Sequence, residues 1–189
     1  MTLTRDEAKT VLDPYLPTIA GCVDSAIKDY HRLDPEGRAR FQKRTKASII
    51  NDFMTFAAAQ QLRELPGVRL VRRQGHLVVL IGDKFRLKFK KLSPNLQPSN
   101  IETQSVLAFM NQQQEEFPHM PSPLTHIIAG YSWKDATQTV AGIHMVCPDG
   151  KRNSWELAIT VEPIAVETTV AESAAKNTAY GRPRRVTPK

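Results

Sequence analysis

An α+β domain, with helices first and antiparallel strands after them, is what this sequence predicts, and three observations predict it. Apolar residues recur at steps of three and four in the N-terminal third, where Ala47, Ile50, Met54, Ala57, Ala58 and Leu62 form the clearest stripe. From Val68 the period changes to two. Turn-forming residues then divide the rest of the chain into short strands, in two groups separated by one helix. With 189 residues, 41% of them hydrophobic and 24% charged, the chain can build one core of ordinary size, which we place in a single domain over residues 1–162.

Taken in order, Thr4 with Glu7 three residues on is the signature of a first helical turn, because the two side chains can serve each other's free N–H groups. Pro14 and Pro17 interrupt the helical pattern beyond it. A second helix is expected over 18–31, before Asp34-Pro35, and a third over 37–65, stopped by Pro66-Gly67. Strands are expected over 68–74, 76–81 and 84–92, joined by Gly75 and Gly82-Asp83. Ser99 and Glu102 form a second capping box, opening a helix with Ile101, Val106, Leu107 and Met110 that fades in the polar run 111–116. A proline-rich connector over 117–123 leads to strands expected over 126–133, 139–147 and 152–161. Pro148-Asp-Gly-Lys151 suits a type I turn followed by a glycine at positive φ. Residues 163–189 lack periodicity and end in a basic run, the composition of a flexible tail.

Charge is the most informative feature. Residues 1–64 carry ten basic and nine acidic groups, and residues 93–162 carry three against seven. Residues 65–92 carry eight basic groups against Asp83 alone, so this stretch supplies as much as the whole net charge of +7. Lys84, Arg86, Lys88 and Lys90 alternate with Phe85, Leu87 and Phe89, which predicts a strand with one apolar and one cationic face. Side chains two apart on such a face repeat at roughly 6.6–7 Å, near the spacing of successive phosphates. This row, with Arg72, Arg73 and Lys91 supporting it, is the expected contact surface for nucleic acid or an acidic protein. A solvated face, or an edge strand guarded by lysines, would give the same pattern. A second basic cluster, Arg38, Arg40, Lys43, Arg44 and Lys46, opens the third helix against the sense of its dipole.

Other chemistries find little support. Arg72, Arg73 and His76 form the one trio that a metal-free ribonuclease would use, and it stands as the alternative catalytic reading. His126 and His144 lie on strands that can pair, and their relation turns on a single residue of register. Cys22 and Cys147 have no CxxC partner, and the longest aliphatic run, over 77–81, is far short of the ~18 residues of a membrane helix. No cofactor, metal or membrane is expected, and the N-terminus carries no secretory pattern, which points to a cytoplasmic protein.

The segments Arg86-Leu-Lys-Phe-Lys-Lys-Leu92, Ser99-Asn-Ile-Glu-Thr-Gln104, Ala129-Gly-Tyr131 and Cys147-Pro-Asp-Gly-Lys151 together resemble a family of small bacterial proteins. Members of that family are encoded beside a repressor-type regulator or a zinc metallopeptidase. The resemblance covers roughly residues 1–160 and implies a two-gene toxin–antitoxin or phage-defence module. It further implies a protein partner encoded by the neighbouring gene, with this chain as the antitoxin-like, regulatory half; it carries no catalytic residue and fixes no oligomeric state. The expectation is a non-enzymatic binding protein, with a small ribonuclease-like toxin or a plain nucleic-acid binder as the alternatives.

Overall fold

Thr4 opens the first helix as its spacing with Glu7 requires: the Glu7 carboxylate accepts from the Thr4 N–H at 2.8 Å, and the Thr4 hydroxyl accepts from the Glu7 N–H at 3.4 Å. The Thr4 hydroxyl also donates to the Glu7 carboxylate at 2.7 Å, and this bond first, then the one from the Thr4 N–H, holds the Glu7 carboxyl below its ordinary pKa. The computed structural model describes residues 2–73, 76–98, 103–114, 123–134 and 139–160. The Gly75 turn, the Ser99–Glu102 capping box, most of the proline-rich connector and the basic tail lie outside the described residues.

Four helices precede the sheet: α1 (Arg5–Leu12), α2 (Leu16–Arg32), α3 (Pro35–Arg40) and α4 (Lys43–Gln61). The single helix expected over 37–65 is thus two. Asp34 caps α3 through a 2.7 Å bond from the Gly37 N–H, and the backbone becomes extended at Phe41 and Gln42 as Phe41 packs against the core. Ile50, Met54, Ala57, Ala58 and Leu62 form the buried stripe of α4 as their spacing demands. Helices α2 and α4 run antiparallel, since Cys22 near the start of α2 meets Gln61 at the end of α4.

The strands are β1 (Val68–Arg73), β2 (His76–Ile81), β3 (Phe85–Leu92), β4 (Thr125–Lys134), β5 (Thr139–Asp149) and β6 (Arg152–Ala158), with α5 (Gln104–Met110) between β3 and β4. The α+β class is as expected, but the two strand groups are fused. One six-stranded sheet has the order β1-β2-β3-β4-β5-β6, antiparallel except where β3 and β4 pair in parallel. The chain between them is long enough to return to the starting end of β3, where the Thr125 N–H donates to the Lys84 carbonyl at 2.7 Å. Gly150, at φ +60°, makes the tight β5–β6 turn.

Both faces of the sheet are covered. Odd-numbered Phe85, Leu87, Ile127, Ala129 and Tyr131 join α1, α2 and α4 in the main core, which also takes in Met145, Cys147, Trp155 and Leu157. On the other face α5 lays Phe109 and Met110 over Leu92, Ile128 and Val146. Helix α5 is capped by Thr103, whose hydroxyl accepts from the Val106 N–H.

The polar run after α5 has a structural purpose that periodicity does not reveal. The Gln112 amide accepts from the His126 N–H at 2.7 Å and donates to the His126 and Pro148 carbonyls at 2.9 and 2.7 Å. Gln114 likewise accepts from the Leu124 N–H at 2.7 Å and donates to its carbonyl at 3.1 Å. The two amides thus stand in for a neighbouring strand where β4 begins. Gln112→Ala strands these peptide groups at about 1–3 kcal/mol each. We expect a fall of at least about 2 kcal/mol in unfolding free energy, measured by urea titration with m unchanged.

Candidate functional site

The alternation that defines β3 also dictates where its cations go, and α5 changes what that means. Arg86 is only 4% exposed, with its guanidinium carbon 5.3 Å from the Phe109 ring centroid. Lys88 brings its ammonium to 4.2 Å from the same centroid. His126, the register partner of Arg86, stacks on Phe109 with centroids 4.5 Å apart and planes 12° from parallel. Its Nδ1 lies 3.1 Å from the Phe109 carbonyl, which can only accept, so Nδ1 carries the proton. The middle of the cationic row is therefore the floor beneath an aromatic ring, in a central strand and not at an edge.

The remaining cations of 65–92 separate to opposite ends of the sheet. Lys84 is exposed in the turn before β3, within electrostatic reach of Glu7, and Arg69 pairs with Asp83 at 2.9 Å beside it. Lys90 and Lys91 lie at the far end, roughly 23 Å along the strand from Lys84 to Lys91. Arg72, exposed, is in register with Leu77 on the helix-covered face, whereas Arg73 is in register with His76. The sheet's alternation thus puts Arg72 and His76 on opposite faces, and the expected catalytic trio does not converge. His126 and His144 do share a face, because a bulge at Ser132/Trp133 shifts the β4–β5 register so that His144 meets Gly130. Four residues of β4, roughly 13 Å, still separate His126 from that position.

Lys91 points the other way from Lys90, toward the helices, and there it meets the second basic cluster. A half-open cavity of about 60 Å³ is lined by Lys43, Lys46, Ala47 and Ile50 of α4, Tyr30 of α2, Lys91 of β3, and Tyr131 and Trp133 of β4. Among the described residues no carboxylate lines it. Burial raises the phenol pKa of both tyrosines, more strongly for Tyr131, which Tyr30 pushes further. At the rim Trp133 stacks on His31, 6.1 Å between centroids and 13° between planes. Arg38 donates to His31 Nδ1 at 2.9 Å and lies 5.8 Å from the Tyr30 centroid. Burial first, then the Arg38 charge, lowers the His31 pKa and favours the neutral ring that accepts this bond.

Exposed Arg40 and Arg44 lie close to Lys43 in the chain, exposed Arg32 is two residues after Tyr30, and exposed Lys134 follows Trp133. Of the nearby acids, Asp29 is paired with Arg32 at 2.7 Å, Asp34 caps α3, and Glu36 sits in the first turn of α3. Helix α4 begins without an acid in its first turn or a side-chain cap at Gln42, so its dipole adds to the positive field. Sequence reasoning placed the lysines in two separate clusters and passed over Tyr30, Tyr131 and Trp133. The available signal was that Tyr131 and Trp133 alternate on one strand, as Lys91 does on its neighbour.

Elsewhere, burial lowers the His144 pKa, with the Glu156 charge acting in the opposite sense. Cys22 and Cys147 are buried thiols with pKa values pushed up to about 12, by desolvation above all, and so are poor nucleophiles. Among the described residues no group of His, Cys, Asp or Glu side chains is placed to hold a metal ion, and no helix is long and apolar enough to cross a membrane. Compared with known proteins, the chain matches no family model, no curated protein and no solved structure.

Proposed function

We propose that this is a nucleic-acid-binding protein that acts by binding rather than catalysis, gripping a single strand at the basic end of its sheet. The observation that carries this reading is the convergence of Lys43, Lys46 and Lys91 on one aromatic-walled cavity, from segments distant in sequence and with no carboxylate among the described lining residues. Phosphates are the ligands that a surface rich in lysine and arginine attracts, and the Trp133–His31 stack offers a flat face for a base. In the gene pair that the family resemblance implies, such a protein is the regulatory half, the antitoxin-like member that senses or sequesters. An acidic surface of the neighbouring gene's product is the competing ligand.

Salt and charge reversal test the proposal together. The double variant Arg44→Glu with Lys134→Glu, both exposed at the basic end, is expected to weaken binding of single-stranded RNA or DNA. It should also reduce the slope of log affinity against log salt by about 0.7 for each phosphate no longer neutralised. Lys84→Glu, at the opposite end, is expected to leave that slope unchanged. Equal effects at both ends would mean that the whole β3 row makes contact. A stable complex with an acidic protein and a shallow salt dependence, with no nucleic-acid affinity, would overturn the reading in favour of a protein partner.

A further inference from the structure

We propose that the acidic stretch 161–172 docks on the basic end of the sheet in its own chain and competes there with nucleic acid. This rests on the nucleic-acid reading and adds its regulation. The path of the chain comes first. Lys91, Tyr131 and Ile143 are successive register partners across β3, β4 and β5. The Ile159 N–H donates to the Ile143 carbonyl at 3.0 Å and so adds a fourth member to that row. The Ile159 side chain is buried in the main core, on the helix-covered face. The chain therefore leaves the sheet level with Lys91 and on the face that bears the cavity. Three strand spacings, roughly 14 Å in all, separate the two.

Length and charge then select the occupant. Residues 160–172 can span up to about 43 Å when extended, ample to cross that distance. Glu162, Glu167 and Glu172 are the charged residues of 161–175, and no lysine or arginine occurs between Arg152 and Lys176. At the basic end Arg44, Lys91 and Lys134 take part in no ion pair among the described residues. Carboxylates spaced along an acidic stretch complement these cations as phosphates do. Between them Ile164, Val166 and Val170 suit the apolar wall of Ala47 and Ile50. Tethering sets an effective concentration of about millimolar, so contacts too weak to hold a separate partner suffice.

The test has two readouts on the full chain. A carbodiimide joins a carboxylate to an amine in contact with it, forming an amide with loss of water, and mass spectrometry identifies the linked peptides. Links from Glu162, Glu167 or Glu172 to Lys91 or Lys134 are expected, at a yield unchanged by dilution and reduced by excess single-stranded RNA. The triple variant Glu162→Gln, Glu167→Gln and Glu172→Gln is expected to bind that RNA about tenfold more tightly than the unaltered chain, the effect of a millimolar tethered competitor whose own affinity is about 0.1 mM. A control triple, Asp52→Asn, Glu64→Gln and Asp149→Asn, removes the same charge from exposed positions elsewhere and is expected to change affinity by under about twofold. Circular dichroism confirms the fold of each. Equal gains in the two variants, or no links to Lys91 and Lys134, overturn the proposal and leave the nucleic-acid reading standing. Links whose yield falls on dilution assign the segment to a second copy and overturn docking within one chain. Links as expected, with no RNA bound by any form, overturn the nucleic-acid reading and leave the docking in place.

Discussion

Gly130→Ala is expected to cost about 4 kcal/mol or more, a large share of the 5–15 kcal/mol that holds an ordinary domain together. Gly130 is the register partner of Lys90 in the parallel β3–β4 pair at the centre of the sheet. A methyl group there would sit inside van der Waals contact of the Lys90 carbonyl oxygen, 3.0 Å from its carbon and 3.3 Å from Leu92 Cγ. The obstacle is backbone, so no rotamer change relieves it. The strands must part from their spacing of about 4.8 Å, losing ladder bonds on both sides. Gly142 on β5 supplies the control. A methyl there would lie 2.6 Å from His144 Nε2, the far end of a side chain that can turn away. Gly142→Ala is expected to cost under about 1 kcal/mol. Urea titration of both variants decides the matter, and similar midpoints would mean that the central pair is looser than its register implies.

That contrast marks where the sequence stops being legible. Period and turn chemistry located the strands closely: β2 matches its expected span, and β1, β3 and β4 differ from theirs by one residue at one or both ends. Both carry local information, a face or a turn written in neighbouring residues. The parallel joining of β3 to β4 is not local, because it depends on where the intervening chain returns, and nothing in Lys84–Leu92 or Thr125–Lys134 records it. The same holds for the site. The cationic row was visible as alternation, but alternation does not say that Phe109, twenty-three residues after Arg86, would cover it. The bulge between Ser132 and Trp133 changes the register by one, and with it the relation of His144 to His126. The cavity joins Tyr30, Lys43, Lys91 and Trp133, residues whose proximity follows from the antiparallel packing of α2 and α4 across the sheet and from no spacing in the chain.

Phe109→Ala is expected to destabilise the protein by about 3–5 kcal/mol, the range for an aromatic side chain removed from a packed site. Phe109 is 3% exposed and is the main side chain by which α5 holds the second face of the sheet. Its loss also removes the ring from the Arg86 and Lys88 cations and from the His126 stack. A cation over an aromatic face contributes about 0.5–2 kcal/mol, most where water is excluded, as it is around Arg86. Phe109→Leu separates the two effects, because leucine restores much of the apolar contact and none of the ring's negative face. The leucine variant is expected to lie between wild type and alanine, and the part of the deficit due to the missing cation contacts to shrink when Lys88 is also changed to Met. Opening this face sets Arg86 and Lys88 side by side in water, so the unfolding midpoint of Phe109→Ala should rise with moderate salt more than that of wild type. A loss under about 1 kcal/mol, with no such salt response, would mean that α5 does not press on the sheet in solution and that the cations of β3 form the open row their alternation suggests.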